Sequence, residues 1–147
     1  MLELKELAKT FGSFIAVNSI NLAIKKGELF GFLGPNGAGK TTTIKMITGL
    51  LSPNSGKIYI NGIDAWDNPI RAKTITGYIP DQPFIYDKLT GKEFLFFCGG
   101  LYNLDKILLA DKIYELTDTL KIGSWIDKRT EEYSQGMRQR ITIASAF

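Results

Sequence analysis

Apolar residues change their spacing partway along the chain. Leu2 to Leu7 alternates apolar and polar positions, and Ile20-Asn21-Leu22-Ala23-Ile24 does so again before Lys25-Lys26-Gly27. A period of two sends successive side chains to opposite faces, so both stretches predict half-buried antiparallel strands. Glu28-Leu29-Phe30-Gly31-Phe32-Leu33 is a short, nearly continuous apolar run and predicts a buried strand. The spacing then becomes helical. Thr41 to Leu51 predicts a helix with Ile44, Ile47 and Leu51 on one face, its end punctuated by Gly49 and Pro53. Pro53-Asn54-Ser55-Gly56 predicts a turn, and Lys57-Ile58-Tyr59-Ile60 a short strand closed by the turn pair Asn61-Gly62. Thr74 to Pro80 is a further predicted strand. Thr90-Gly91-Lys92-Glu93 has the spacing of a capping box and predicts a helix running toward Leu101. Another helix is predicted from Asp105, with Leu109, Ile113, Leu116 and Leu120 as its apolar face and Gly123 just past its end. A last helix follows Ser134 toward Phe147. The first half is therefore read as strand-rich and the second as helical.

Composition adds bounds but no chemistry. The chain has 147 residues, 44% of them hydrophobic and 22% charged, as expected of one domain, or part of one, that buries a core. A net charge of +3, spread along the chain, is too small to argue for nucleic acid. Cys98 is the single cysteine, which excludes an internal disulfide and points to a reducing compartment; it reads as a small apolar filler. Met1 to Glu6 lacks the basic-then-apolar pattern of a secretory signal, and the dense apolar stretch Phe94 to Cys98 is far short of a membrane span. The expectation is a cytoplasmic protein whose membrane association comes through a partner. With no histidine in the sequence, imidazole chemistry is excluded within it.

Between the run ending at Leu33 and the helix starting near Thr41 lies the most specific motif. Gly34-Pro35-Asn36-Gly37-Ala38-Gly39-Lys40-Thr41 matches G-x-x-x-x-G-K-[ST]. The glycines let the backbone wrap a phosphate so that several N–H groups point inward. Lys40 reaches the β- and γ-phosphates and the Thr41 hydroxyl takes a position on Mg²⁺. Strand, glycine loop and helix together aim a helix N-terminus at an anion.

Downstream, Tyr133-Ser134-Gln135-Gly136-Met137-Arg138-Gln139-Arg140 resembles the signature motif of ABC-type ATPases, Leu-Ser-Gly-Gly-Gln followed by x-Gln-Arg. Lys9-Thr10-Phe11-Gly12 resembles that family's adenine-stacking aromatic loop. Gly77-Tyr78-Ile79-Pro80-Asp81-Gln82-Pro83 resembles the loop that carries a glutamine between ATPase core and helical subdomain. The resemblance spans the whole chain in the right order and is nearest to prokaryotic exporter, drug-efflux and polysaccharide-efflux subunits. It implies an α/β fold: a P-loop NTPase core with an antiparallel β layer over residues 1–80, a helical subdomain over 81–135, and the start of the signature helix over 136–147, incomplete at the C-terminus.

The implied function is an ATP-binding transporter subunit. Two such subunits, alike or paralogous, sandwich ATP and Mg²⁺ and drive a transmembrane permease from the inner face of the plasma membrane. By the same resemblance, Phe11 stacks on adenine, residues Gly34 to Thr42 hold the phosphates, and Ser134, Gln135 and Gly136 contact the γ-phosphate held by the opposite subunit. Lys40 serves catalysis, Thr41 binds Mg²⁺, and either Asp81 or Gln82 takes the glutamine's place on Mg²⁺ and the attacking water.

There are departures. Gln135 stands for the signature's first glycine and Met137 for its glutamine, which implies a looser γ-phosphate contact. Asp81 occupies the aligned glutamine position, with Gln82 one residue later; both are oxygen ligands suited to Mg²⁺. The resemblance also implies a continuation past Phe147 into a strand ending in an Mg²⁺-binding aspartate, then a catalytic glutamate and a switch histidine. That strand would pair beside the P-loop strand. Residues 1–147 alone are thus expected to be weakly stable and to turn over no ATP. Among the aromatics Phe84, Tyr86, Phe94, Phe96, Phe97 and Tyr102, most are expected in the helical core and a few at a permease-docking groove. The competing readings are a soluble ABC protein acting on ribosomes or DNA and a nucleotide-binding module without hydrolysis.

Overall fold

A computed structural model describes all 147 residues, which fall into two compact units, Met1–Thr76 and Gly77–Phe147. The first holds a four-stranded antiparallel sheet. Strands β1 (Leu2–Phe11) and β2 (Phe14–Ile24) form a hairpin around Gly12-Ser13. Strand β3 (Ser55–Ile60) pairs on the other side of β1, and the short β4 (Ile63–Asp64) completes the order β2-β1-β3-β4. Helix α1 (Lys40–Ile47) precedes β3, and α2 (Pro69–Lys73) follows β4.

Both predicted front strands are present and are longer than their alternating segments. Strict alternation from Leu4 would bury Glu6 and expose Leu7. Instead the register slips between Leu4 and Leu7, Glu6 turns to a positive φ of 49°, and both leucines enter the core. The Glu6 amide is satisfied by Asn21 Oδ1 at 2.9 Å. Across the bulge, β3 comes so near that a Cβ on Gly56 would lie 2.5 Å from the Lys5 and Glu6 carbonyl oxygens. Leu4, Leu7, Val17, Met46 and Ile58 form the buried centre, each contributing about 1.5–3 kcal/mol.

Helix α1 ends earlier than predicted, in a Schellman turn: Leu50 N–H donates to Lys45 O at 2.8 Å and Gly49 N–H to Met46 O at 3.2 Å, with Gly49 at φ 70°. Its buried face is Thr43 and Met46; Ile47 and Leu51 pack partly, and Ile44 is exposed. Two predicted strands are absent. Glu28–Leu33 is irregular, with Leu29 and Leu33 exposed at 100% and 92%. Thr74–Pro80 first prolongs the turn of α2, Thr74 N–H donating to Ile70 O, and is then irregular. Both have strand composition but no neighbour in this chain to take their main-chain bonds.

In the second unit, α3 (Gly91–Leu101), α4 (Lys106–Thr119) and α5 (Gln135–Ala144) surround a core of Ile85, Phe94, Leu109, Ile113, Ile122 and Ile141 among others. The Thr90–Glu93 capping box forms as predicted, Thr90 N–H donating to Glu93 Oε2 at 2.8 Å and Glu93 N–H to Thr90 Oγ1 at 3.2 Å. Asp105 caps α4 by accepting from the Ile107 and Leu108 amides. The stop of α4 is not at Gly123. Lys121 takes the left-handed position, φ 53°, because the next residue, Ile122, is then buried completely. Helix α5 ends at Ala144, short of Phe147.

Candidate phosphate-binding and signature sites

The phosphate loop leaves the exposed 28–33 segment and enters α1 through Gly39, whose φ of 81° only glycine adopts freely. Space imposes glycine here too: a Cβ on Gly39 would collide with the Ala16 carbonyl oxygen of β2. Gly37 is also left-handed, at φ 83°. Within the loop, Ala38 N–H donates to Pro35 O at 3.3 Å, and Thr43 N–H closes the first helical bond to Gly39 O at 2.8 Å. The N–H groups of Gly37, Gly39, Lys40, Thr41 and Thr42 find no acceptor in the chain, and no side chain caps the helix. Lys40 folds back over the loop, its ammonium donating to Gly34 O and Pro35 O at 2.6 Å each. A row of unsatisfied amides under a lysine held only by neutral carbonyls is a donor set for a polyphosphate. Asn36 and Thr41 are exposed, and the Thr41 hydroxyl has no partner.

Phe11 ends β1 beside the hairpin turn and is half exposed, its ring available for stacking. The first unit thus contains Phe11 and every residue from Gly34 to Thr42.

The other predicted site residues lie in the second unit. Asp81 and Gln82 occupy an exposed bend. Ser134 is the N-cap of α5, its Oγ accepting from Met137 N–H at 3.3 Å, so the hydroxyl already has a local structural task. Gln135 and Gly136 form the exposed first turn, while Ile141, Thr142 and Ala144 anchor the far end of the helix in the core. Arg138 ties the helix to Asp87 at 3.1 Å. Tyr133, just before the cap, donates its hydroxyl hydrogen to Trp125 O at 3.0 Å, and burial pushes its phenol pKa up. That ring requires Gly91, where a Cβ would strike the Tyr133 oxygen.

The aromatic segment differs from expectation. Phe94 is buried and Phe96 packs against the core, but Phe84, Tyr86, Phe97 and Tyr102 are exposed. Phe84, Tyr86 and Phe97 form a surface row of edge-to-face contacts with centroids 5.4 and 5.2 Å apart. The helical core is supplied instead by aliphatic residues, which fill the small interval between α3 and α4, where Gly99 meets Leu109. Cys98 is half-buried with its thiol pKa raised by burial, as suits a filler. No helix is long and apolar enough to cross a membrane.

Residues that the motif reading did not single out also adjoin these sites. Lys9 and Asn54 contact the strand end that carries Phe11. The one sequence signal was that Lys9 and Phe11, two apart on a strand, share a face.

Residues 17–147 match the family model described as ABC transporter. The chain is 39% identical over its full 147 residues to the Escherichia coli protein YbhF, described as a probable multidrug ABC transporter ATP-binding protein, and covers 25% of it. It is 38% identical over its full length to the Bacillus subtilis protein YxlF, described as an uncharacterized ABC transporter ATP-binding protein. The chain spans a quarter to about half of these relatives' lengths, 25% and 48%. Among solved structures, an ATP-binding subunit of an ABC transporter superposes with a TM-score of 0.89 at 31% identity, over 99% of this chain and 61% of that one.

Proposed function

Because the chain belongs to the ABC transporter family of ATP-binding domains, we propose that it is the nucleotide-binding part of a transporter motor subunit. In this reading it binds Mg-ATP at the phosphate loop and couples hydrolysis to movement of a transmembrane partner. The observation that carries the reading is the phosphate loop: unsatisfied amides of Gly37, Gly39, Lys40, Thr41 and Thr42 beneath a lysine whose ammonium rests on carbonyls.

On binding, Lys40 exchanges two neutral acceptors for phosphate oxygens, a gain in charge-assisted hydrogen bonding. The loop residues Gly34, Pro35, Asn36, Gly37, Ala38, Gly39, Lys40, Thr41 and Thr42 wrap the chain of phosphates, and the free amides of Gly37, Gly39, Lys40, Thr41 and Thr42 orient it. Phe11 stacks on the adenine. Thr41 would offer its hydroxyl to Mg²⁺, and Asp81 or Gln82 would take the role that the family's glutamine has toward Mg²⁺ and the attacking water. Bound Mg-ATP supplies a phosphoanhydride whose cleavage releases the free energy for the cycle.

The partner is a second subunit of the same family, identical or paralogous. It presents its own serine cap and glycine turn to this nucleotide, as Ser134, Gln135 and Gly136 do to the one opposite. A relative that matches this chain at TM-score 0.84 and 26% identity is described as a dimeric post-hydrolysis state bound to ADP and Pi. The exposed row Phe84, Tyr86 and Phe97 suits docking of an apolar permease segment, and in this reading the subunit works at the cytoplasmic face of the plasma membrane. A net charge of +3 gives no footing for nucleic acid.

The test is Mg-ATP binding and hydrolysis by the native-length polypeptide that carries these residues. Lys40→Ala is expected to lower turnover by at least about 100-fold. Turnover that survives Lys40→Ala, or tight binding with no hydrolysis at all, would overturn the motor reading.

A further inference from the structure

Pairing of β1 with β3 ends at Ala8 opposite Ser55, three residues before the Phe11 ring. Beyond that point the strand has lost its neighbour on one side, yet it is not free. The loop that follows α1 takes over: Asn54 N–H donates to Ala8 O at 2.9 Å, and Asn54 Oδ1 accepts from Thr10 N–H at 2.8 Å. A side-chain amide oxygen thus stands in for the missing strand. Lys9 adds a third tie, its ammonium donating to Ser52 O at 2.6 Å while lying 5.4 Å from the Phe11 ring centroid. At the other end of α1, Gly39 abuts the Ala16 carbonyl of β2, next to Val17, the residue paired with Lys9. The hairpin is therefore held by the N-cap of the phosphate-loop helix on one side and by the loop that follows the helix on the other.

We propose that Lys9 and Asn54 are positioning residues for base recognition, fixing the Phe11 ring relative to the phosphate loop so that a purine and its phosphates are met by one rigid body. This rests on the nucleotide reading above. The chemistry follows from the ring's quadrupole. A cation near the ring draws on its π-density, and the remaining face then repels an electron-rich purine less. With Ser52 O holding the ammonium, Lys9 keeps that place without spending rotamer freedom when the nucleotide arrives.

The experiment compares binding of Mg-ATP and of magnesium tripolyphosphate, which lacks base and ribose, to the native-length polypeptide. Phe11→Ala should weaken ATP by more than about five-fold and leave tripolyphosphate unchanged. Lys9→Met keeps the stem and removes the charge; it should weaken ATP about two- to five-fold, again with no effect on tripolyphosphate. Asn54→Ala should act in the same base-dependent way, and Asn54→Asp, which keeps the acceptor oxygen, should restore wild-type affinity. Equal losses for both ligands would mean a general structural role and overturn the inference. So would ATP affinity that falls in Phe11→Ala but is untouched by Lys9→Met and Asn54→Ala. If the unsubstituted polypeptide binds neither ligand, the nucleotide reading itself fails and the clamp fails with it.

Discussion

Gly136 is a residue whose identity nothing within the chain itself requires. It sits in the first turn of α5, exposed, and a Cβ there would meet nothing within 4 Å. Its φ is not positive, so neither space nor backbone geometry within this chain calls for glycine. Glycine in a helix costs roughly 0.5–1 kcal/mol relative to alanine. In the proposed sandwich the bare backbone matters, because the opposite nucleotide's phosphate approaches that turn. Gly136→Ala should therefore raise the unfolding temperature, by about 1–4 °C, while lowering ATP turnover at least about ten-fold through the added methyl. Differential scanning calorimetry and a phosphate-release assay on one preparation read both effects. Stabilisation with unchanged turnover would remove Gly136 from the nucleotide interface.

At the scale of elements, the starts of α3, α4 and α5 were legible in the sequence because their causes are local, whereas the short α2 was not predicted. Thr90, Asp105 and Ser134 each accept from an amide two or three residues ahead, a relation that needs no distant partner. The capping box also carries a titration. The Thr90 N–H and hydroxyl hydrogen bonds to its carboxylate hold the Glu93 pKa below the ordinary glutamate value. A depressed folded value means the contribution is complete above the ordinary value, about 4.5, and disappears as pH falls through the folded one. Glu93→Gln keeps an acceptor oxygen but does not titrate. Its unfolding temperature should fall less than wild type between neutral pH and about pH 4, and identical acid profiles would show that the box has no electrostatic role. What was not legible is non-local. The slip at Glu6 depends on which leucines the core demands, and the stop at Lys121 depends on where Ile122 can be buried. The Asn54 grip on Thr10 joins residues 44 apart.

For the whole molecule, the segment Glu28–Leu33 is the point where sequence and structure disagree most. Its composition predicts a buried strand, yet it lies open, with Leu29 and Leu33 almost wholly exposed. The sheet β2-β1-β3-β4 does not reach it, so its amides have no strand to bond. Burial of these two leucines is worth about 1.5–3 kcal/mol each once a neighbour is present. The solved relative superposing at TM-score 0.89 is longer, this chain covering 61% of it, which leaves room for such a neighbour in that fold. The segment leads directly into the phosphate loop, so ordering it should also set the entry angle of Gly34 and steady the amides that receive phosphate. Amide hydrogen exchange tests this without reference to activity. In residues 1–147 alone, the amides of Leu29 to Leu33 should exchange almost as fast as an unfolded peptide, while those of Leu4, Leu7 and Ile58 are protected. In the native-length polypeptide the same segment should gain protection of at least about 100-fold, and nucleotide affinity should rise with it. Strong protection already present in residues 1–147, or none in the longer polypeptide, would show that the phosphate loop is not held by a strand on this side.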